Sequence, residues 1–316
     1  MPTANDDIAL RANGLTKRYG DLVAVDQLSF AVRRGEILGF LGPNGAGKTT
    51  ALKMMCGLLR PDAGSVEIQG QPLTAGRGRS RVIGVAPQNV VIWEMLTCHE
   101  QLEFIGRMYN VPAPVARARA TALLAAFGLQ EKAHRLGKTL SGGMQRRLNI
   151  ALGLVHQPEI LFLDEPQAGL DPQSRVLVRD YVRALAGNMT VVITTHDMEE
   201  AEKLCHRVCI VDRGKLLALD TVDGIKRQLG EGDLFELELN ADVATALLPL
   251  LGEAQAAAPL LVDGRMLRFP STAGNALLTR VLHVVDERGL KLVQLRLRSA
   301  TLEDVFIRLT GRGLRE

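Results

Sequence analysis

The sequence predicts an α/β fold built in two parts, and three observations carry that reading. Gly42 to Thr49 reads GPNGAGKT between an apolar run, Ile37 to Leu41, and a helix-like stretch, Thr50 to Leu59. It fits G-x-x-x-x-G-K-S/T in the strand, loop and helix setting that a phosphate-cradling loop requires. Ile160 to Leu163 is a second short apolar run, ending on Asp164, Glu165 and Pro166, the form of a buried parallel strand that delivers carboxylates to a sheet edge. Beyond Gly224 the pattern follows the order β-α-β-β-α-β, which predicts a small ferredoxin-like α/β unit. One domain is therefore placed over residues 1–228 and an accessory α/β domain over 229–316.

Within the first part, most candidate residues sit where a strand ends. Gly42, Gly45 and Gly47 let the backbone curl so that successive N–H groups face an anion, and the following helix N-terminus adds its partial positive charge. Pro43, Asn44, Ala46 and Thr50 complete the cradle. Lys48 is placed to reach β- and γ-phosphates and Thr49 to bind Mg²⁺. Asp164 is a second Mg²⁺ ligand, directly or through water. Glu165 is the natural general base, because a carboxylate beside a metal-bound triphosphate both orients and polarises an attacking water. Gln88 follows the apolar run Val82 to Ala86 and Pro87, so a polar side chain at that strand end meets Mg²⁺ or water. His196 closes the β-rich run Thr190 to Thr195, at another strand end near the γ-phosphate. Tyr19 lies upstream of the loop, where its ring either stacks on a base or packs in a core. Leu140 to Gln145 reads LSGGMQ ahead of a helix-like segment, Met144 to Val155. Ser141, Gly142 and Gly143 thus make a second anion-binding helix terminus, with Ser141 also its natural N-cap.

With these runs in this order, nearly the whole of the first part resembles the ATP-binding subunits of ABC transporters. The resemblance implies a P-loop NTPase fold with a RecA-like core, an antiparallel β subdomain and a helical insert, with ATP and Mg²⁺ as ligands. It assigns Tyr19 to adenine stacking, Gly42 to Thr49 to the Walker A loop, Gln88 to the Q-loop and Ser141 to Gln145 to the signature. It assigns Asp164 and Glu165 to Walker B, Gly169 to Asp171 to the D-loop, with Asp171 at the nucleotide, and His196 to the switch. In that family the signature faces the γ-phosphate held by another subunit, so two chains sandwich two ATP molecules. One departure is visible, since the family usually reads EPTAGLDP and this chain has Gln167 between Pro166 and Ala168. The metal ligand and base are unaltered, so activity is expected to persist and the departure bears on D-loop geometry. The closing stretch Ser299 to Leu309, SATLEDVFIRL, resembles the tail of daunorubicin-resistance-like ATPases that pair with ABC-2 permeases. This implies export of drugs, lipids or other hydrophobic compounds.

Composition agrees. At 316 residues, 47% hydrophobic and 23% charged, the chain can bury a sizeable core and hold two domains. A formal charge of +3 is too small to argue for a nucleic-acid partner. Met1 to Asp7 lacks the apolar stretch of a signal peptide, and the most apolar stretches, Thr121 to Leu129 and Ala254 to Val262, fall far short of the roughly 20 residues of a membrane span. The transmembrane part is therefore expected to be another polypeptide, an integral permease that holds this chain at the cytoplasmic face of the inner (plasma) membrane. Cys56, Cys98, Cys205 and Cys209 are scattered and read as reduced thiols. Cys205 and Cys209 fall at helical spacing around His206, where packing outweighs a metal site.

Glu100 to Leu129 reads as helices broken by Pro112 and Pro114. In the family this insert forms the groove for a permease helix, and Trp93, with Met95 and Leu96, lies at its entrance as a partner anchor or as core. In the second part, Asp233 to Asn240, Ala254 to Val262, Arg265 to Phe269 and Leu290 to Leu297 read as strands, and Ala241 to Leu251 and Thr272 to Arg288 as helices. This part holds no recognisable ligand pocket and reads as a dimer-stabilising or regulatory addition. Two other classes fit less well. An ABC-type translation factor normally has two nucleotide domains in one chain, and a DNA-repair or chromosome ATPase splits its motifs with a long heptad-rich insertion. This chain has one of each motif and no sustained heptads between Thr49 and Leu140. The expected machine is an ATPase subunit that pairs with a second ATPase subunit, most simply as a homodimer.

Overall fold

Two long strands, β1 (Ile8–Tyr19) and β2 (Leu22–Arg33), pair as an antiparallel hairpin before the fully apolar β3 (Ile37–Leu41) leads into α1 (Lys48–Met55). β4 (Ala63–Ile68), β5 (Gln71–Pro72) and β6 (Ile83–Ala86) precede α2 (Cys98–Met108), α3 (Ala113–Ala126) and α4 (Gly142–Leu154). There follow β7 (Ile160–Asp164), α5 (Pro172–Leu185), β8 (Thr190–Thr195), α6 (Met198–Leu204), β9 (Arg207–Asp212), β10 (Lys215–Thr221) and α7 (Val222–Arg227). The computed structural model describes residues 7–73, 81–228, 233–247, 260–271 and 274–310.

The first unit holds two sheets. One is four-stranded, in the order β2-β1-β4-β5, and the other six-stranded, in the order β10-β9-β3-β8-β7-β6. In the second sheet β9, β3, β8, β7 and β6 run parallel, and β3, β7 and β8 are buried throughout, as parallel strands covered on both faces must be. Gly84 lets α4 approach β6, since a Cβ there would stand 2.2 Å from the Gly153 carbonyl oxygen. In the insert, Thr97 and Glu100 form a capping box that starts α2. Pro112 is the N-cap of α3 and Pro114 lies in its first turn, where a missing N–H costs nothing, so Pro114 begins this helix instead of breaking it.

The second unit contains α7, β11 (Asp233–Leu239), α8 (Val243–Ala246), β12 (Leu261–Asp263), β13 (Met266–Pro270), α9 (Gly274–Glu287), β14 (Leu292–Ser299) and α10 (Leu302–Thr310). Compact units span Met1–Ala218 and Leu219–Glu316, a division inside β10 that precedes the 228/229 boundary read from the sequence, because α7 packs on α10. The sheet order is β12-β13-β11-β14 with every neighbouring pair antiparallel. Alternate residues Leu237, Leu239, Leu267 and Phe269 bury one face against Val243, Val281 and Val285. The expected helix to Leu251 and strand from Ala254 lie in part outside the described residues, which resume at Leu260.

Candidate active site

Parallel strands open their C-terminal ends on a common edge, and here neighbouring strands end on the candidate residues. β3 runs into the Gly42 loop, β6 into Gln88, β7 into Glu165 and β8 into His196; across the register Leu41 pairs with Thr195, Asp164 with Thr194 and Ala86 with Leu163. The loop turns sharply at Gly47, whose φ is 96° and whose Cβ would stand 2.2 Å from the Ala24 carbonyl oxygen, so only glycine fits.

Asp164 is 2% exposed, and its Oδ1 accepts from Thr49 Oγ1 at 3.0 Å and from Thr194 Oγ1 at 2.5 Å. Glu165 is buried as well, with Oε2 2.9 Å from His196 Nδ1 and Oε1 3.6 Å from Lys48 Nζ. Lys48 Nζ also donates to the carbonyls of Gly42 at 2.7 Å and Pro43 at 3.0 Å. Burial lowers the pKa of this ammonium, against the pull of Glu165 and Asp164. The structure thus brings Lys48, Thr49, Asp164, Glu165 and His196 together from separate segments. Asn44 and Gly45 are exposed at the loop tip, and Thr50 continues α1. Gln88 presents an exposed side chain, and Tyr19 is half exposed at the end of β1.

Ser141 caps α4, accepting from Met144 N at 3.4 Å, while Gln145 Nε2 donates to the Gly137 carbonyl at 3.3 Å. Among the described residues no hydrogen bond joins Ser141 to Gln145 with the Gly42 loop of the same chain. Asp171 caps α5 through Ser174, whose bonds hold its carboxyl below the ordinary value, and a Cβ on Gly143 would lie 3.8 Å from Asp171 Oδ2. A signature glycine and this aspartate are therefore neighbours.

Residues 25–168 match the family described as ABC transporter. Over 311 residues the chain is 41% identical to the daunorubicin resistance ATP-binding protein DrrA3 of Streptomyces coeruleorubidus, covering 96% of each chain. This chain is an ABC transporter ATP-binding protein. It is also 39% identical to the Nod factor export ATP-binding protein I of Ralstonia nicotianae, over 97% of this chain and 95% of that one. Identity to the linearmycin resistance ATP-binding protein LnrL of Bacillus subtilis is 35%, over 97% and 100%. A solved structure described as the ATP-binding subunit of an ABC transporter superposes with a TM-score of 0.65 at 28% identity, covering 70% of this chain and 93% of that one.

In this ABC ATPase two residues not singled out in the sequence hold the acids in place. Arg146 of α4 is buried, and its guanidinium donates to the carbonyls of Pro87, Gln88, Asp164, Glu165 and Pro166. One side chain thus ties the segments after β6 and β7 to the signature helix. Its signal was faint: an arginine three and four residues before buried Asn149 and Ile150, on the same helix face. The other residue is Thr194, hidden in a β-branched run. Gln167, the visible departure from the ABC pattern, donates to Glu200 Oε2 at 3.1 Å and so ties the D-loop segment to α6. Cys205 and Cys209 do not share a helix, because α6 ends at Leu204 and Cys209 lies in β9. Both thiols are buried and pushed up, Cys205 to about 12, and His206 Nδ1 accepts from Ile37 N at 3.0 Å.

Proposed function

We propose that this chain hydrolyses ATP to drive a separate membrane permease of ABC-2 type that exports hydrophobic compounds. The observation that carries the reading is the cluster on one sheet edge of buried Lys48, Asp164 and Glu165 with half-buried Thr49 and exposed His196. The drug resistance and Nod factor export in the relatives' names support the export direction. A carboxylate and a hydroxyl are hard oxygen donors, so Asp164 and Thr49 suit Mg²⁺, which when bound neutralises phosphate charge. Lys48 exchanges its loop carbonyls for the β- and γ-phosphates, Glu165 takes the proton of an attacking water, and His196 holds the Glu165 carboxylate in place. Gln88 orients that water and Tyr19 stacks on adenine. Ser141, Gly142, Gly143 and Gln145 of a second copy cover the γ-phosphate, and the neighbouring Asp171 reports closure between the two sites.

The ATP-filled dimer closes and hydrolysis releases it, a two-state change that moves the permease between inward and outward access. Trp93 and Phe104, both exposed and in edge-to-face contact at 5.5 Å, form the anchor for that permease at the cytoplasmic face of the membrane. Trp93→Ala is expected to weaken co-purification of permease while leaving basal turnover intact. The central test is Glu165→Gln, with turnover down by about 10²–10⁴, ATP binding retained, and a monomer-to-dimer shift in light scattering on adding Mg²⁺-ATP. Unchanged hydrolysis removes Glu165 as the base, and bound ATP without a dimer removes the homodimer. Lys48→Ala is expected to impair binding itself.

A further inference from the structure

The geometry points to Thr194 as a positioning residue of this ATPase, whose single hydroxyl holds the Asp164 side chain and the Glu165 backbone; this deepens the reading of Asp164 and Glu165 given above and rests on it. Thr194 is fully buried in β8, directly across the parallel register from Asp164 in β7. Its Oγ1 donates to Asp164 Oδ1 at 2.5 Å and accepts the Glu165 N–H at 3.0 Å, while the Thr194 carbonyl oxygen stands 3.1 Å from that same N–H. The hydroxyl thus donates its one proton to the first acid and accepts from the backbone of the second. Glu165 needs such a hold, because its φ of 48° lies in the left-handed region that a residue with a Cβ enters only when its surroundings enforce it. A β-branched threonine suits the task, since its χ1 is stiff and the hydroxyl is held in one direction. Valine would fill the same space and provide neither bond. Thr194 touches no reacting atom; it acts through the Asp164 side chain and the Glu165 backbone.

The test is steady-state ATP hydrolysis by the full chain, with unfolding midpoints measured alongside. Thr194→Val is expected to lower kcat by about 10- to 100-fold, to raise the Mg²⁺ concentration needed for half-maximal rate, and to leave KM for ATP within about twofold. Thr194→Ser is expected to restore most of kcat. The control is Thr190→Val at the other end of β8, where a buried hydroxyl accepts the Gly35 N–H at 3.0 Å. It removes a comparable bond and is expected to lower the midpoint to a similar degree with kcat unchanged. Equal loss of kcat in both valine variants, or no rescue by serine, reduces Thr194 to a structural residue and overturns the inference. Normal turnover in Thr194→Val beside an inactive Glu165→Gln overturns the inference alone, whereas normal turnover in both overturns the reading of the site as well.

Discussion

Asp164 and Asp304 are both almost wholly buried carboxylates, and the two units of the chain treat them in opposite ways. Asp304 of α10 receives both terminal nitrogens of Arg298, at 2.7 and 2.8 Å, together with the backbone N–H of Thr301 at 2.9 Å and its hydroxyl at 2.8 Å. Glu236 binds the same arginine at 2.9 Å and Arg268 at 2.8 Å. Asp164 accepts from two hydroxyls on one oxygen, and among the described residues no cationic side chain stands within ion-pairing distance of it. A buried charge is tolerated when an opposite charge meets it. In the second unit the protein provides that charge itself, through Arg298, to the start of α10. In the first unit Asp164 feels Lys48 and Arg146 only at longer range and stays open to a further cation, as the proposed Mg²⁺ ligand would need to be.

The sharpest way to break this comparison is Asp164→Asn. The amide oxygen still accepts from Thr49 and Thr194, so the fold is expected to survive, while turnover falls by about 10²–10³ through loss of charge at the site. Hydrolysis rate and unfolding midpoint measured on one preparation decide the matter, and a large midpoint drop would make Asp164 a structural acid. Arg298→Met should show the reverse. Among the described residues it leaves Arg268, 3.6 Å away, as the one cation beside buried Asp304, and is expected to cost about 3 kcal/mol of stability, the lower end for orphaning a buried charge. Urea unfolding of the full chain reads that loss, and ATP turnover of the folded fraction is expected to stay normal.

The same network titrates. Burial pushes the carboxyls of Asp304 and Glu236 up, but their bonds to arginine, joined at Asp304 by those from Thr301, outweigh it, so both lie below their ordinary values of 3.8 and 4.5. A depressed folded pKa means that the stabilisation is complete above the ordinary value and is lost as pH falls through the lower folded one. Stability of the second unit is therefore expected to decline as pH drops below about 4, and Asp304→Asn to flatten that decline. A wild-type unfolding midpoint that does not change between pH 5 and pH 3 would show that the network contributes nothing.

Why the residues that cluster at the candidate site were largely legible, and their supports were not, follows from where each signal is written. Gly42 to Thr49, Asp164 with Glu165, and His196 are consecutive residues at strand ends, so one short window holds both the strand and its chemistry. Arg146 and Thr194 work across the fold: the first reaches carbonyls about twenty and sixty positions away, and the second pairs strands thirty residues apart. No local pattern distinguishes them from an ordinary helix arginine and an ordinary strand threonine. The second unit was legible through its alternation, since Leu237 and Leu239 or Leu267 and Phe269 repeat at period two. Its charged network was not, because Glu236, Arg268 and Arg298 alternate along strands just as solvated side chains do, and Asp304 follows Glu303 in the first turn of a helix, where acids are ordinary.

The smallest expected effect sharpens the comparison at the level of single hydroxyls. Thr301 and Thr194 each hold a buried aspartate through Oγ1, at 2.8 and 2.5 Å. Thr301 also accepts the Asp304 N–H at 3.4 Å, so it is the N-cap of α10 and closes a box with Asp304. Thr301→Val removes a cap and one of four bonds to a carboxylate that Arg298 still neutralises. The expected cost is about 1 kcal/mol of stability, with kcat unchanged. Thr194→Val removes a bond of the same kind from a carboxylate to which, among the described residues, no arginine donates, and its cost is expected in kcat first. Were Thr301→Val to slow hydrolysis while leaving the unfolding midpoint alone, the division between a structural and a functional buried aspartate would fail, since one missing hydroxyl would then have reached the chemistry from the unit that neutralises its own charge.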